Sequence, residues 1–207
     1  MVNLKPEPEV LPREILYDLG KLIEPQDYRA LYYFLTLCGP RVTEALKVEH
    51  SDFRWDYFPK VDKNVLLVTL QTEKRADHLN RVIPTMVFTD ETETNLFKEV
   101  FSWWESCSEG RVFQLDRSIA WRKFKKYITL EDVTSRLGRP LKEVLNAQEK
   151  EAPLLRFYPH YLRHCRATHL SKGPYCQRDD LIQAYFGWYG REMVVRYTHT
   201  MVEELVR

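Results

Sequence analysis

The sequence predicts a mainly α fold with one small antiparallel β-sheet, an α+β arrangement, and three observations carry that expectation. Apolar residues recur at helical spacing over most of the chain. The β-branched stretch VLLVTLQT at 65–72 is followed, after a polar turn, by a second short strand pattern, RVIPT at 81–85. The composition is that of a folded globular domain: 207 residues, 44% hydrophobic, 29% charged and only 7 Gly.

The elements follow in order. The opening MVNLKPEPEVLP holds three prolines and reads as a linker or entering arm. Helical spacing runs over 13–23 and 26–38, with Pro25 suited to a helix start. Gly39-Pro40 then breaks the chain before a short helix at 41–48. After the strand patch, helical patterns resume at 90–106 and 117–127. LEDVTSRLG and PLKEVLNAQ read as two further short helices, a helical hairpin with a faint helix-turn-helix look and Gly138 at its turn. Helices at 159–171, 178–187 and 190–199 complete the chain, and there is no internal repeat.

With 31 Lys+Arg against 30 Asp+Glu, the net charge of +1 neither requires nor excludes nucleic acid, so any such role must come from local clustering. The cysteines at 38, 107, 165 and 176 form no C-x-x-C pair and read as reduced, buried thiols of a cytoplasmic protein. No signal peptide is evident, and the apolar runs at 31–38 and 65–70 fall well short of a membrane span.

The stretch YPHYLRHCRATHL at 158–170 packs three histidines and two arginines into a helical pattern. Metal, phosphate and solvent are the candidate reasons. His160 and His164 share a face, but Arg163 between them places a cation beside any metal, so no metal is expected. His160 and Arg163 also share a face, and a guanidinium fork beside an imidazole suits a phosphodiester. A solvated basic face is the plain alternative. Three other stretches fit phosphate chemistry. GPRVTEAL at 39–46 puts Arg41 at a helix start, where a bound anion would offset the helix's positive end, with Glu44 one turn on. Lys74 sits in the tip between the two strands, and Trp188 lies nine residues before Tyr197.

Taken together, these stretches resemble the catalytic domain of the tyrosine recombinases, the integrase family of DNA breaking-and-rejoining enzymes. The family's G-x-R-x-x-E-x-L box is met by Gly39, Arg41, Glu44 and Leu46. Its H-x-L-R-H-x-x-A-T-H box is met by His160, Leu162, Arg163, His164, Ala167, Thr168 and His169. Its last box is met by Gly187, Trp188, Tyr197, Thr198 and His199. The resemblance covers about residues 25–207, leaving 1–24 as an arm where relatives carry a DNA-closing helical domain, and 128–155 as an insertion. The absence of that domain suggests a fragment or a partner domain elsewhere.

The resemblance implies metal-free transesterification without cofactor. Tyr197 is the expected nucleophile, forming a covalent 3′-phosphotyrosine. Arg41 and Arg163 are expected to clamp the phosphate oxygens, and His160 to donate a hydrogen bond or relay a proton. Trp188 stands where most relatives have His and can donate but not shuttle a proton. Lys74 is the expected general acid for the leaving 5′ oxygen, with a plain surface lysine as the alternative. Arg75 beside it is an expected DNA contact, or the catalytic residue of the hairpin in place of Lys74. Glu44 either orients Arg41 or a neighbouring ligand, or simply compensates the first helical turn.

The basic cluster WRKFKKY, with Arg122, Lys123, Lys125 and Lys126, is expected on this fold to contact the DNA backbone. Double-stranded DNA at an attachment or recombination site is the implied partner. The chain is expected to be a monomer or weak dimer when free and a tetramer on DNA, with the amphipathic MVEEL after Tyr197 docking on a neighbouring subunit. The pattern suits an archaeal or viral integrase. Type IB topoisomerase-like relaxation, or a non-catalytic DNA-binding regulator of the same fold, are the alternatives.

Overall fold

Every residue of the helix α2 (Gln26–Cys38) from Ala30 onward is buried, so the rest of the molecule is arranged around it. The computed structural model describes residues 9–72, 80–145, 151–153, 159–172, 177–188 and 205. Around α2 pack α1 (Arg13–Gly20), α3 (Val42–Ala45), α4 (Glu91–Ser106), α5 (Arg117–Tyr127) and α7 (Pro159–Ser171). Full burial of Leu31, Phe34, Leu35 and Leu37 contributes on the order of 1.5–3 kcal/mol each. Its polar side chains are satisfied locally: Tyr32 and Tyr33 donate to the carbonyls of Leu16 and Tyr17 on α1, at 3.0 and 3.2 Å. Tyr33 comes so close that a Cβ at Gly20 would sit 2.2 Å from its ring, which is why α1 ends in glycine there.

The helix boundaries have ordinary causes. Asp90 caps α4 by accepting from the Glu93 N–H at 3.0 Å, and Asp116 caps α5 by accepting from Ser118 and Ile119. Thr129 and Asp132 cap α6 (Leu130–Leu137) reciprocally, and Gly138 ends it in the left-handed region. Val133 of α6 is buried in the common core. α8 (Asp179–Phe186) closes the described helices and packs against α7. Among the described residues, no helix is long and apolar enough to cross a membrane.

The sheet is antiparallel in the order β1 (Phe53–Phe58), β2 (Lys63–Gln71), β3 (Asn80–Pro84). Val68 of β2 pairs with Phe53 on one side and Ile83 on the other. β2 and β3 fall where the sequence predicts strands. β1 was not anticipated: FRWDYF carries two charges and four aromatics, and as an edge strand it leaves Trp55 and Tyr57 exposed. The second predicted insertion helix is also corrected. Residues 143–145 form β4 (Glu143–Leu145), paired antiparallel with β5 (Glu151–Pro153), so α6 is followed by a strand pair and not by a helical or helix-turn-helix partner. The β-branched Val144 and the nearby Pro140 and Pro153 favour extended chain there.

The segment at 9–12 is tied to the back of α7. Tyr161 donates to the Glu9 carbonyl at 2.6 Å and accepts from the Leu11 N–H at 3.2 Å. The Glu9 carboxylate pairs with Arg139 and accepts from the Lys142 N–H at 2.9 Å. Leu11, Leu16, Leu19 and Ile23 are buried in the same core as α2. Leu205 is buried in this chain's own core as well.

Removing the Tyr161 hydroxyl leaves two buried backbone groups of this strap without a partner. Tyr161→Phe is expected to cost about 1–3 kcal/mol in chemical denaturation, with the 9–12 segment becoming the earliest site of proteolysis.

Candidate active site

Gly39, in the left-handed region at φ 60°, ends α2 and turns the chain into α3. A Cβ there would lie 2.9 Å from the Phe186 ring and 3.1 Å from Arg166, so glycine is required both by conformation and by space. The turn delivers Arg41 to the start of α3. Glu44, one turn on, accepts from the Arg41 N–H at 2.9 Å and from its guanidinium at 2.6 Å. Arg81 on β3 forks onto the same carboxylate at 2.7 and 3.3 Å. Arg163 of α7 stands 3.9 Å away and donates to the carbonyls of Gly39 and Phe186, each at 2.8 Å.

Three guanidiniums therefore surround one carboxylate, a local surplus of two positive charges among these four side chains. Burial pushes the Glu44 carboxyl up, but the charges and hydrogen bonds of Arg81 and Arg41 outweigh it and hold its pKa below the ordinary glutamate value. Burial, followed by repulsion from Arg81, lowers Arg163 from the usual guanidinium range, although it remains a cation at neutral pH. Arg163 also lies 4.7 Å from the Phe186 ring and 5.9 Å from that of Trp188, which stack on each other. Arg41 keeps 19% of its side chain exposed and Trp188 50%, so these two form the accessible edge; Arg163, at 3%, lies beneath them.

Arg166, one turn beyond Arg163, has a different environment. It forks onto the buried Glu93 at 2.7 and 2.8 Å. Glu93 also accepts from the N–H groups of Val87 and Phe88 and from Arg13, which in turn pairs with Asp90. Two cations meet two carboxylates, so this cluster is neutral and braces α1, α4 and α7. The helix at 159–171 thus carries one balanced arginine and one that is not.

The histidines of α7 also divide. His160 is exposed on its first turn. His169 has its Nε2 2.8 Å from the Leu11 carbonyl, which fixes the proton on that nitrogen. Burial pushes its pKa down to about 4, with Arg166 and Arg13 adding to the effect. His169 therefore holds the strap as a neutral donor. His164 keeps a buried Nε2 with no hydrogen-bond partner among the described residues.

Of the sequence-predicted residues, Arg41, Glu44, Arg163 and Trp188 come together, with His160 at the start of the helix that carries Arg163. Lys74, Arg75 and Tyr197 lie outside the described residues. α5 carries Arg122, Lys125 and Lys126 exposed, while Lys123 lies over the Tyr28 ring at the opposite end of α2 from Gly39. That is about 16 Å along the helix axis, so the basic cluster is separate from the arginine site. Sequence reasoning missed Arg81. Its signal was a charged residue at the head of an otherwise apolar strand, RVIP, where an arginine needs a partner if its face is buried.

The sequence matches no family model and no curated protein sequence. The fold is shared with solved tyrosine recombinases and integrases. XerH site-specific recombinase bound to its difH substrate in a pre-cleavage complex is 19% identical, with 97% of this chain and 52% of that chain covered at a TM-score of 0.54. An integrase from mycobacterium phage Brujita is 11% identical, with 97% and 59% covered at 0.56. FLP recombinase in a Holliday-junction complex is 13% identical, with 90% and 45% covered at 0.55. The chain spans about half the length of these proteins, and at these identities the likeness is one of fold.

Glu93→Ala leaves Arg166 buried without its carboxylate and is expected to cost about 3–5 kcal/mol in denaturant unfolding. His169 has a folded-state pKa below the ordinary histidine value of 6.5, so its contribution is complete above that pH and is lost as pH falls toward about 4. His169→Asn is expected to flatten that part of the stability-versus-pH curve, measured by thermal unfolding in a pH series.

Proposed function

We propose that this chain is the catalytic part of a site-specific DNA recombinase or integrase that breaks and rejoins strands without a metal. The observation that carries the reading is the unbalanced arginine site at the meeting of α2, α3, β3 and α7, whose surplus charge suits a bound phosphodiester. The shared fold supports it, since one of the similar structures is a recombinase on its substrate DNA and another is a recombinase on a Holliday junction.

In this reading the Tyr197 hydroxyl oxygen attacks the phosphorus while its proton passes by way of His160 to solvent, the bond to the 5′ oxygen breaks, and the 3′ phosphate is left on the tyrosine. Lys74 supplies the proton to the departing 5′ oxygen, and Arg75 beside it, a permanent cation, contacts the DNA. Arg41 and Arg163 stabilise the charge that builds on the non-bridging oxygens, His160 adds a donor, and the Trp188 indole N–H adds another. Attack by a 5′ hydroxyl reverses the sequence, so one phosphoester replaces another and no cofactor is consumed. The basic residues of α5 hold the duplex backbone away from the scissile phosphate. Strand exchange is carried out by a tetramer on two duplexes, in the cytoplasm with the DNA.

The test is covalent trapping on nicked duplexes with EDTA present. Protein is expected to migrate with DNA after denaturation, and Tyr197→Phe is expected to abolish the adduct. Arg41→Ala and Arg163→Ala are each expected to slow its formation by about a hundredfold or more. Binding without any adduct would favour a non-catalytic regulator. An adduct accompanied by plasmid relaxation and no exchange between duplexes would favour a topoisomerase.

A further inference from the structure

We propose that Arg81 is a positioning residue of this site: it keeps Glu44 ionised and oriented, and through Glu44 it fixes Arg41 for the phosphate. The inference rests on the strand-breaking reading above and adds a residue to it.

Three observations support it. First, the fork from Arg81 engages both oxygens of a carboxylate with 0% exposure, and the other side of that carboxylate grips Arg41. Arg41, at 19% exposure, is the guanidinium of this cluster that reaches the accessible edge, so what holds Glu44 also sets where that donor points. Second, Arg81 reaches the last motif as well. A Cβ at Gly187 would lie 3.4 Å from its Cδ and Nη1, so the side chain passes directly beneath the turn that presents Trp188. Third, Arg81 is the second residue of β3, two positions after the stretch 73–79 that contains Lys74 and Arg75 in the sequence. One side chain thus lies at the junction of three of the segments expected to carry the chemistry.

The contrast with Arg166 separates this role from bracing alone. Arg166 makes a similar fork, but its carboxylate is shared with main-chain N–H groups and Arg13, none of them among the proposed catalytic residues. The carboxylate of Arg81 is shared with a side chain proposed to touch the phosphate. Among the described residues, the charged groups facing Glu44 are Arg41 from the start of α3, Arg81 from β3 and Arg163 from α7. Without Arg81, Glu44 keeps the partly solvated Arg41 and an Arg163 that is 3.9 Å away and occupied by two carbonyls. Burial then favours the protonated carboxyl, which holds Arg41 less firmly.

The experiment compares wild type, Arg81→Met and Arg81→Lys in single-turnover adduct formation from mildly acidic to mildly alkaline pH. In parallel, the Glu44 carboxyl is titrated by carbon-13 NMR without DNA and assigned by its loss in Glu44→Gln. Arg81→Met is expected to cleave about a hundredfold more slowly at neutral pH, to recover partly as pH rises, and to show Glu44 titrating well above its wild-type position. Arg81→Lys keeps the charge and loses the fork, so it is expected to leave Glu44 ionised and slow cleavage by about tenfold. An unshifted Glu44 in Arg81→Met, or a pH profile parallel to wild type, overturns the inference. If Arg81→Met does not fold by circular dichroism, Arg81→Lys decides, and a rate within about twofold of wild type overturns it. A wild type with no adduct counts against the strand-breaking reading, and the Glu44 titration does not depend on it.

Discussion

The arrangement depends on one buried carboxylate. Glu44 has no solvent exposure and stays ionised only because cations close around it. An uncompensated charge in that position would cost several kcal/mol. The compensation comes from three directions, so the start of α3, the strand β3 and the helix α7 must converge on one point before the charge is tolerated. That convergence requires α2 to end sharply at Gly39, whose carbonyl also receives Arg163. The same cluster is thus a folding constraint and a reservoir of positive charge.

The molecule separates bracing from charge surplus. Around Glu93 every charge is matched, and the result joins α1, α4 and α7. Around Glu44 the arginines exceed the carboxylate, and the excess lies under an edge formed by Arg41 and Trp188. α7 serves both clusters. Its far face holds the 9–12 strap through Tyr161 and His169, so the segment leading into α1 bears on the helix that carries Arg163. A displacement of the strap would reach the site through a single rigid helix.

Much of this is legible in the sequence. The helical periodicity of 26–38, 90–106, 117–127 and 159–171 and the β-branched run at 65–72 are local signals, and the elements form there. The grouping of Arg41, Glu44, Arg163 and Trp188 is legible only through motif resemblance, because their positions in the chain are far apart. What could not be read depends on tertiary context. β1 is a polar edge strand whose pairing with β2 outweighs its weak pattern. Residues 143–145 include the helix formers Glu143 and Leu145 but pair with 151–153. The proline-rich opening looks like a free arm, yet Glu9 and Leu11 are held by groups 133 to 152 residues away in sequence. Arg81 carried no motif, and its importance lies entirely in what faces it. Of the three histidines that made 158–170 conspicuous, His160 lies on the open side and His169 serves packing.

The central claim is that Tyr197 becomes covalently joined to DNA at the arginine site, and peptide mass spectrometry of the trapped complex tests it most directly. After nuclease digestion and trypsin, the account predicts a residual nucleotide on the peptide that begins at Tyr197, or at Glu192 if the intervening site is missed, with fragment ions placing the phosphate on the Tyr197 ring oxygen. A nucleotide mapped to any other residue, or an unmodified Tyr197 in protein shown to be crosslinked to DNA, would contradict it.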